Sequence, residues 1–273
     1  MPLSKEDSVS VELEKRLSHK VRDTIFILDD HYIEVDLKDQ IARLIIKNDS
    51  TYTYKISSGN PHIHKGMSTP SGIFTVQNKT PMATSRQFNN AQLHFWIGFN
   101  MNIGFHGLTS NGYYRHLGNR PSSHGCLRIG RKEGEDLYNR IRRGTPVIVY
   151  DSLPARIFSF ADPGDFDPRH DEFICRSNKR QFRDIDRILD HLEKGEYYVY
   201  RHKKYFLHPD TIMKPRGLKV GYAGDVADYQ RKPIHKFRHV DIFKDDLNLV
   251  RQQRYFISDS VLSASALEEV HRH

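Results

Sequence analysis

Apolar, β-branched and aromatic residues gather in short runs along the first half of the chain. Thr24–Leu28, Tyr32–Leu37, Ile41–Ile46 and Thr51–Ile56 each have the composition of a β-strand. Between them stand the turn-forming stretches Asp29-Asp30-His31, Lys38-Asp39 and Asn48-Asp49-Ser50. Short strands at this spacing predict a mainly antiparallel sheet, barrel or sandwich. A further strand over Gly72–Gln77 follows the turn Thr69-Pro70-Ser71, and Leu93–Phe99 supplies an aromatic one. The spacing then turns helical between Arg131 and Arg143, through Leu137, Tyr138 and Ile141, until Gly144-Thr145-Pro146 stops it. Val147–Tyr150 reads as a closing buried strand.

Outside this block the pattern changes. Val9, Val11, Leu13 and Leu17 fit a short amphipathic helix within residues 4–20. Residues 151–171 are rich in Pro, Asp and Gly and read as a linker or long loop. Beyond them Phe182, Ile185, Ile188, Leu189 and Leu192 share one helical face that Gly195 ends. Tyr197–Tyr200 and Tyr205–His208 flank a basic turn and suggest a hairpin, and the runs at 240–243 and 254–257 fit strand or helix equally. The expected organisation is an N-terminal extension at 1–24, a β-rich domain at 25–152, a linker at 153–172 and a smaller α+β region at 173–273 of unknown role. No repeat is visible.

Composition narrows the function classes. With 37% hydrophobic residues and no run of about 18 apolar residues, no transmembrane segment is expected. A net charge of +8 favours acidic partners, but clusters such as Arg140–Arg143 and Arg201–Lys204 are short and mixed with acids. They read as solvated surface, and nucleic acid is not an expected partner. The first 25 residues have no signal-peptide core, so the protein is either cytoplasmic or delivered, or extracytoplasmic after loss of an export signal. Two cysteines are too few for a disulfide scaffold.

Chemistry concentrates between Gly104 and Arg128, which holds His106-Gly107 and then Ser123-His124-Gly125-Cys126-Leu127-Arg128. A thiol is nucleophilic as thiolate, and with a free pKa near about 8.5 it needs a base or a positive charge close by. His106 and His124 are the candidates. Gly125 before Cys126 permits a backbone turn in which consecutive N–H groups face a developing oxyanion. A nucleophile, a base and an oxyanion cradle are the equipment of acyl transfer.

This segment resembles the signature of the L,D-transpeptidase (YkuD-like) family, a His-Gly followed some 16 residues later by Ser/Thr-His-Gly-Cys. Val35-Asp36-Leu37, Ser57-Ser58-Gly59, Thr69–Phe74 and Gly144–Val149 resemble further elements of that family in the expected order, over roughly residues 25–151. The resemblance implies a β-sandwich or barrel catalytic domain. It also implies Cys126 as nucleophile and His106 as base, its ring oriented by the Gly107 carbonyl. The N–H groups of Gly125 and Cys126 would then form an oxyanion hole, and His124 would shape the site. Arg128 would bind a stem carboxylate or stabilise the thiolate. The implied substrates are peptidoglycan stem peptides. Cys126 would release terminal D-alanine as it forms a thioester, and an acceptor amine, on a neighbouring stem or a wall-anchored protein, would resolve it. Water would make the enzyme a carboxypeptidase, and no cofactor is needed.

Blander readings accompany these. Ser123, Arg120 and Tyr114 are candidate substrate contacts; Arg115 and Tyr113 share their loop, which also reads as a lid. His62 and His64 with His94, His116 and Cys126 match no trusted zinc spacing, and His62 and His64 read as exposed loop histidines near the groove. Trp96 reads as core or groove wall, and Cys175 as a packing residue. The competing functions are an amide hydrolase on the same stems, a non-catalytic wall-binding module, and a delivered antibacterial toxin or an enzyme acting on a cytoplasmic peptide.

Overall fold

The computed structural model describes residues 22–175, 178–194, 203–213 and 216–226. The expected helix at 4–20, the stop at Gly195, the hairpin arm at 197–200 and the runs at 240–243 and 254–257 lie outside the described residues. The chain is mainly β, with 39% strand and, among the described residues, two α-helices. The strands are β1 (Asp23–Ile27), β2 (His31–Asp36), β3 (Ile41–Ile46), β4 (Thr51–Ser57), β5 (Gly72–Thr75), β6 (Asn78–Ser85) and β7 (Ala91–Asn100). They continue as β8 (Ile103–Leu108), β9 (Leu127–Ile129), β10 (Pro146–Tyr150), β11 (Arg156–Phe160), β12 (Glu172–Phe173) and β13 (Tyr205–Leu207). Helix α1 is Arg131–Arg140 and α2 is Lys179–Glu193.

Nine strands form one sheet in the order β5-β10-β2-β3-β4-β9-β8-β7-β6. Only β10–β2 and β8–β9 pair in parallel, so the sheet is mainly antiparallel. Alternation sends Ala42 and Leu44 of β3, and Tyr54 and Ile56 of β4, into one core with Ile33, Phe105 and Leu127. β10 behaves differently. Its Val147 and Val149 enter that core while Ile148 and Tyr150 enter a second one with Ile25, Ile27, Ile185 and Leu207. A strand buried on both faces must be apolar throughout, which accounts for the unbroken Val147–Tyr150 run.

The second core lies under a four-stranded parallel sheet, β11-β1-β13-β12. Here the structure departs from the sequence reading. β1 does not join the meander that follows it but pairs with β11 and β13. The connection to β2 is held elsewhere: buried Asp29 accepts Arg142 Nη2 at 3.0 Å, and His31 Nε2 lies 3.0 Å from Thr145 Oγ1. The stretch read as a linker contains β11, whose pairing with β1 satisfies its backbone despite the Pro-rich surroundings. Tyr205–Leu207 is a strand as expected, and its described partners β1 and β12 are both parallel. Cys175, expected to pack, is exposed because Ile174 takes the inward position at 2% exposure.

Arg156, in the middle of this assembly, has 0% exposure. It meets Asp23 Oδ2 at 2.5 Å and Asp186 Oδ1 at 3.1 Å, and donates to the Lys219 and Ile185 carbonyls. One guanidinium thereby joins β1, β11, α2 and the 216–220 segment. That segment also covers the β5 edge, since Ile73 and Leu218 exchange backbone hydrogen bonds of 2.9 and 3.0 Å.

Candidate active site

His106 lies on β8, and its register partner on parallel β9 is Arg128. Cys126 immediately precedes β9, two residues before Arg128, so the parallel pairing brings its position next to the strand that carries His106. His106 is 5% exposed, and its Nδ1 lies 3.1 Å from the Gly107 carbonyl. A carbonyl only accepts, so Nδ1 carries the proton and Nε2 the lone pair. On the other side β7 carries a bulge. The register between His94↔Gly107 and Ile97↔Phe105 sets Phe95 and Trp96 opposite the single residue His106, and Phe95 takes φ 52°. Trp96 thereby stacks on the His106 ring at 6.1 Å while its Nε1 donates to Asn78 Oδ1 at 2.7 Å. It is half-buried, a groove wall.

The loop before β9 is braced from inside. Gly125 N donates to Ser123 Oγ at 3.0 Å, and Ser123 Oγ donates to the Cys126 carbonyl at 2.5 Å. Thr69 Oγ1 donates to the Gly125 carbonyl at 2.8 Å and accepts from Gly59 N at 2.9 Å. Gly59 and Gly125 nearly touch: a Cβ on Gly59 would fall 2.7 Å from Gly125 Cα and 2.2 Å from the Met67 carbonyl oxygen. Gly125 itself has φ +140°, which side chains rarely tolerate. Two expectations are corrected by this. Ser123 is 2% exposed and its hydroxyl is committed to the loop, so it braces the site rather than meeting substrate. The Gly125 N–H is likewise occupied, which leaves the Cys126 N–H as the candidate oxyanion donor of the pair.

The electrostatics describe a neutral resting pair. Burial pulls the His106 pKa down to about 4, opposed by the Gly107 hydrogen bond and assisted by the Arg128 charge. Burial pushes the Cys126 thiol up, while the Gly104 amide and Arg128 pull it down. The half-buried thiol donates to the Asn102 carbonyl at 3.4 Å. A neutral imidazole has the lone pair to act as a base, and a protonated thiol has the proton to give. Arg128 is half-buried, and its Nη1 donates to Ser122 Oγ at 3.1 Å.

The remaining candidates lie around this centre. His124 packs on Phe88 with ring centroids 4.4 Å apart. Tyr114 is 38% exposed, yet its hydroxyl accepts the Arg131 N–H at the start of α1, so its position is set by the helix. Tyr113 is buried and donates to the Ile129 carbonyl at 3.0 Å. Arg115 and Arg120 are exposed and both reach His116. His62 and His64 are exposed in the loop that leads to Met67. Among the described residues, the metal-ligand-type side chains that gather are Asp29, Asp30 and His31, none of them in the motif. Sequence reasoning missed Asn102, Met67 and the Phe95–Trp96 bulge. Pro81 in β6, opposite that bulge, has no N–H for a regular ladder and was the available signal.

Comparison with known proteins finds a family match over one region of the chain. The model of the YkuD family, the L,D-transpeptidase catalytic domain, matches residues 30–149. No curated protein matches. Among solved structures, an L,D-transpeptidase from Mycobacterium smegmatis is 16% identical over 44% of this chain and 58% of its own, with a TM-score of 0.40. One from Mycobacterium tuberculosis H37Rv is 20% identical over 45% and 58%, TM-score 0.39. One from Stackebrandtia nassauensis is 19% identical over 51% and 65%, TM-score 0.38. The chain spans less than two thirds of the length of each of these proteins.

Proposed function

We propose, from the premise that residues 30–149 carry the L,D-transpeptidase catalytic domain of the YkuD family, that this chain is a cysteine acyltransferase acting on peptidoglycan stem peptides. The observation that supports the reading is the tautomer of His106: with Nδ1 turned to the Gly107 carbonyl, Nε2 keeps a lone pair to take a proton from Cys126, which leads into the neighbouring strand β9. Cys126 Sγ attacks the carbonyl that bears the terminal D-alanine, and its proton passes to Nε2. The tetrahedral oxyanion meets the Cys126 N–H. Collapse breaks the C–N bond, Nε2 returns the proton to the departing amine, and a thioester remains. An acceptor amine then attacks the thioester and loses a proton to Nε2, which passes it to the departing thiolate. Water in place of the amine gives a carboxypeptidase, and a wall-anchored protein is a further acceptor. Gly107 positions the base, Gly125 gives the loop its turn, and His124 walls the site. Arg128 holds a carboxylate of the stem or the thiolate, with Arg120 and Tyr114 as neighbouring contacts. Stems of this kind place the working protein outside the cytoplasm.

Mass spectrometry of the full chain after mixing with a defined tetrapeptide stem tests this. The expected adduct on Cys126 is the stem less D-alanine, absent in Cys126→Ser and retained in Cys175→Ser, whose thiol is on the exposed side of the fold. Equal loss in both variants, or turnover by Cys126→Ser, overturns the reading. An intact chain that binds stems without any adduct would favour the wall-binding module.

A further inference from the structure

The 113–120 loop carries a cluster of positive charge that has no acidic partner among the described residues. Arg120 Nε donates to His116 Nδ1 at 3.0 Å, and Arg115 Nε points at His116 Nε2 at 3.3 Å. A neutral imidazole has one lone pair, so it satisfies one of these guanidiniums at a time. Arg128 is the third cation that acts on His116, and no carboxylate is among the charges that do. Among the described residues, Arg115, Arg120 and Arg128 form no ion pair with an acid.

Hydrogen bonds tie the backbone of the cluster to Arg128. Arg128 Nη1 donates to Ser122 Oγ, which lies 2.8 Å from Ser57 Oγ, and Ser57 Oγ donates to the Arg120 carbonyl at 2.7 Å. Arg128 also acts on both Cys126 and His106. Gly118, at φ +68° against the Lys55 side chain, and the hydrogen bond from Gly118 N to the Ile56 carbonyl fix the loop to β4. Like charges gathered on a braced loop repel one another unless an anion joins them, and guanidinium forks match carboxylates.

We propose that Arg115 and Arg120, gathered on His116 beside Arg128, form a receptor for a free carboxylate of the donor stem, distinct from the peptide carbonyl that acylates Cys126, so that this chain selects stems whose internal carboxylates are not amidated. The proposal rests on the acyl-transfer reading for its substrate. Its atoms are the exposed guanidinium forks, with His116 as the spacer that keeps them together. Arg128 is the inner, half-buried cation, and its charge acts on the thiol.

The test compares one tetrapeptide stem in two forms, internal carboxylates free or amidated, on the wild-type chain and on the Arg115→Gln/Arg120→Gln double variant. The wild type should acylate Cys126 with the free stem at least about tenfold faster per unit concentration, as one charge-assisted contact predicts. The double variant should melt at the wild-type temperature and lose that preference through KM rather than kcat. An undiminished preference in the variant overturns the proposal, and so does a wild-type preference for the amidated stem. If neither stem acylates the wild type, the acyl-transfer reading falls and calorimetry still decides the receptor. Cys126→Ala, with and without the arginine substitutions, is titrated with both stems. Tighter binding of the free stem that disappears with the arginines supports the receptor. Equal binding of the two stems ends it.

Discussion

At the scale of the residue, His106 ties stability to pH. Its folded pKa is held near about 4 by burial, below the ordinary 6.5 it regains on unfolding. Between those values the unfolded chain binds the proton and the folded chain does not. Stability contributed by the neutral ring is therefore complete above pH 6.5 and is lost as pH falls towards 4, at about 1.4 kcal/mol per unit and about 3 kcal/mol over the window. Urea unfolding of wild type and His106→Gln at several pH values should show the difference between the two curves shrinking with acid in that window. Parallel curves would mean that the ring is protonated in the fold. The same variant should acylate poorly, because the thiol that burial has pushed up then has no acceptor for its proton.

At the scale of the element, the loop before β9 depends on a close approach between two backbones. Gly59→Ala would place a methyl 2.2 Å from the Met67 oxygen and 2.7 Å from Gly125 Cα, so one of these backbone segments must move. A shift of about 1 Å at Cys126 is enough to cost about 100-fold in acylation rate. Adduct formation by Gly59→Ala should fall by that order while the far-ultraviolet circular dichroism stays that of the wild type. An unchanged rate would show that the loop yields without moving the thiol. The Phe95–Trp96 bulge acts on the same centre from β7, by presenting the indole to His106.

At the scale of the whole molecule, two cores share β10, and Arg156 locks the second one. Replacing a buried partner leaves the other charge unsatisfied, so Arg156→Ala should cost about 3–5 kcal/mol by denaturant titration. Asp23, itself 6% exposed, is the charge left behind, and Arg156→Met with Asp23→Leu should recover much of the loss. A double variant no better than the single one would place the cost in packing alone. The shared strand bears on the proposed catalytic unit at 25–152. A chain ending at residue 152 would expose Ile148, Tyr150 and the β5 edge now covered by Leu218. It should aggregate or fail to melt cooperatively, whereas a monomeric, cooperatively folded fragment would establish 25–152 as independent.

What the sequence determined by itself was local. Strands β2 to β5, β7 and β10, helix α1 and the described face of α2 follow from side-chain period and turn residues, which act over a few positions. The His106 and Cys126 candidates were legible too, because a nucleophile, a glycine and histidines at motif spacing are rare together. Tertiary structure decided what depends on partners distant in sequence. It moved β1 into a parallel sheet with β11, and it committed Ser123 and the Gly125 amide to bracing the loop. It also set Trp96 against His106 through a bulge. Each of these is fixed by which backbone donors and acceptors remain to be satisfied once the chain is packed, and no local period encodes that.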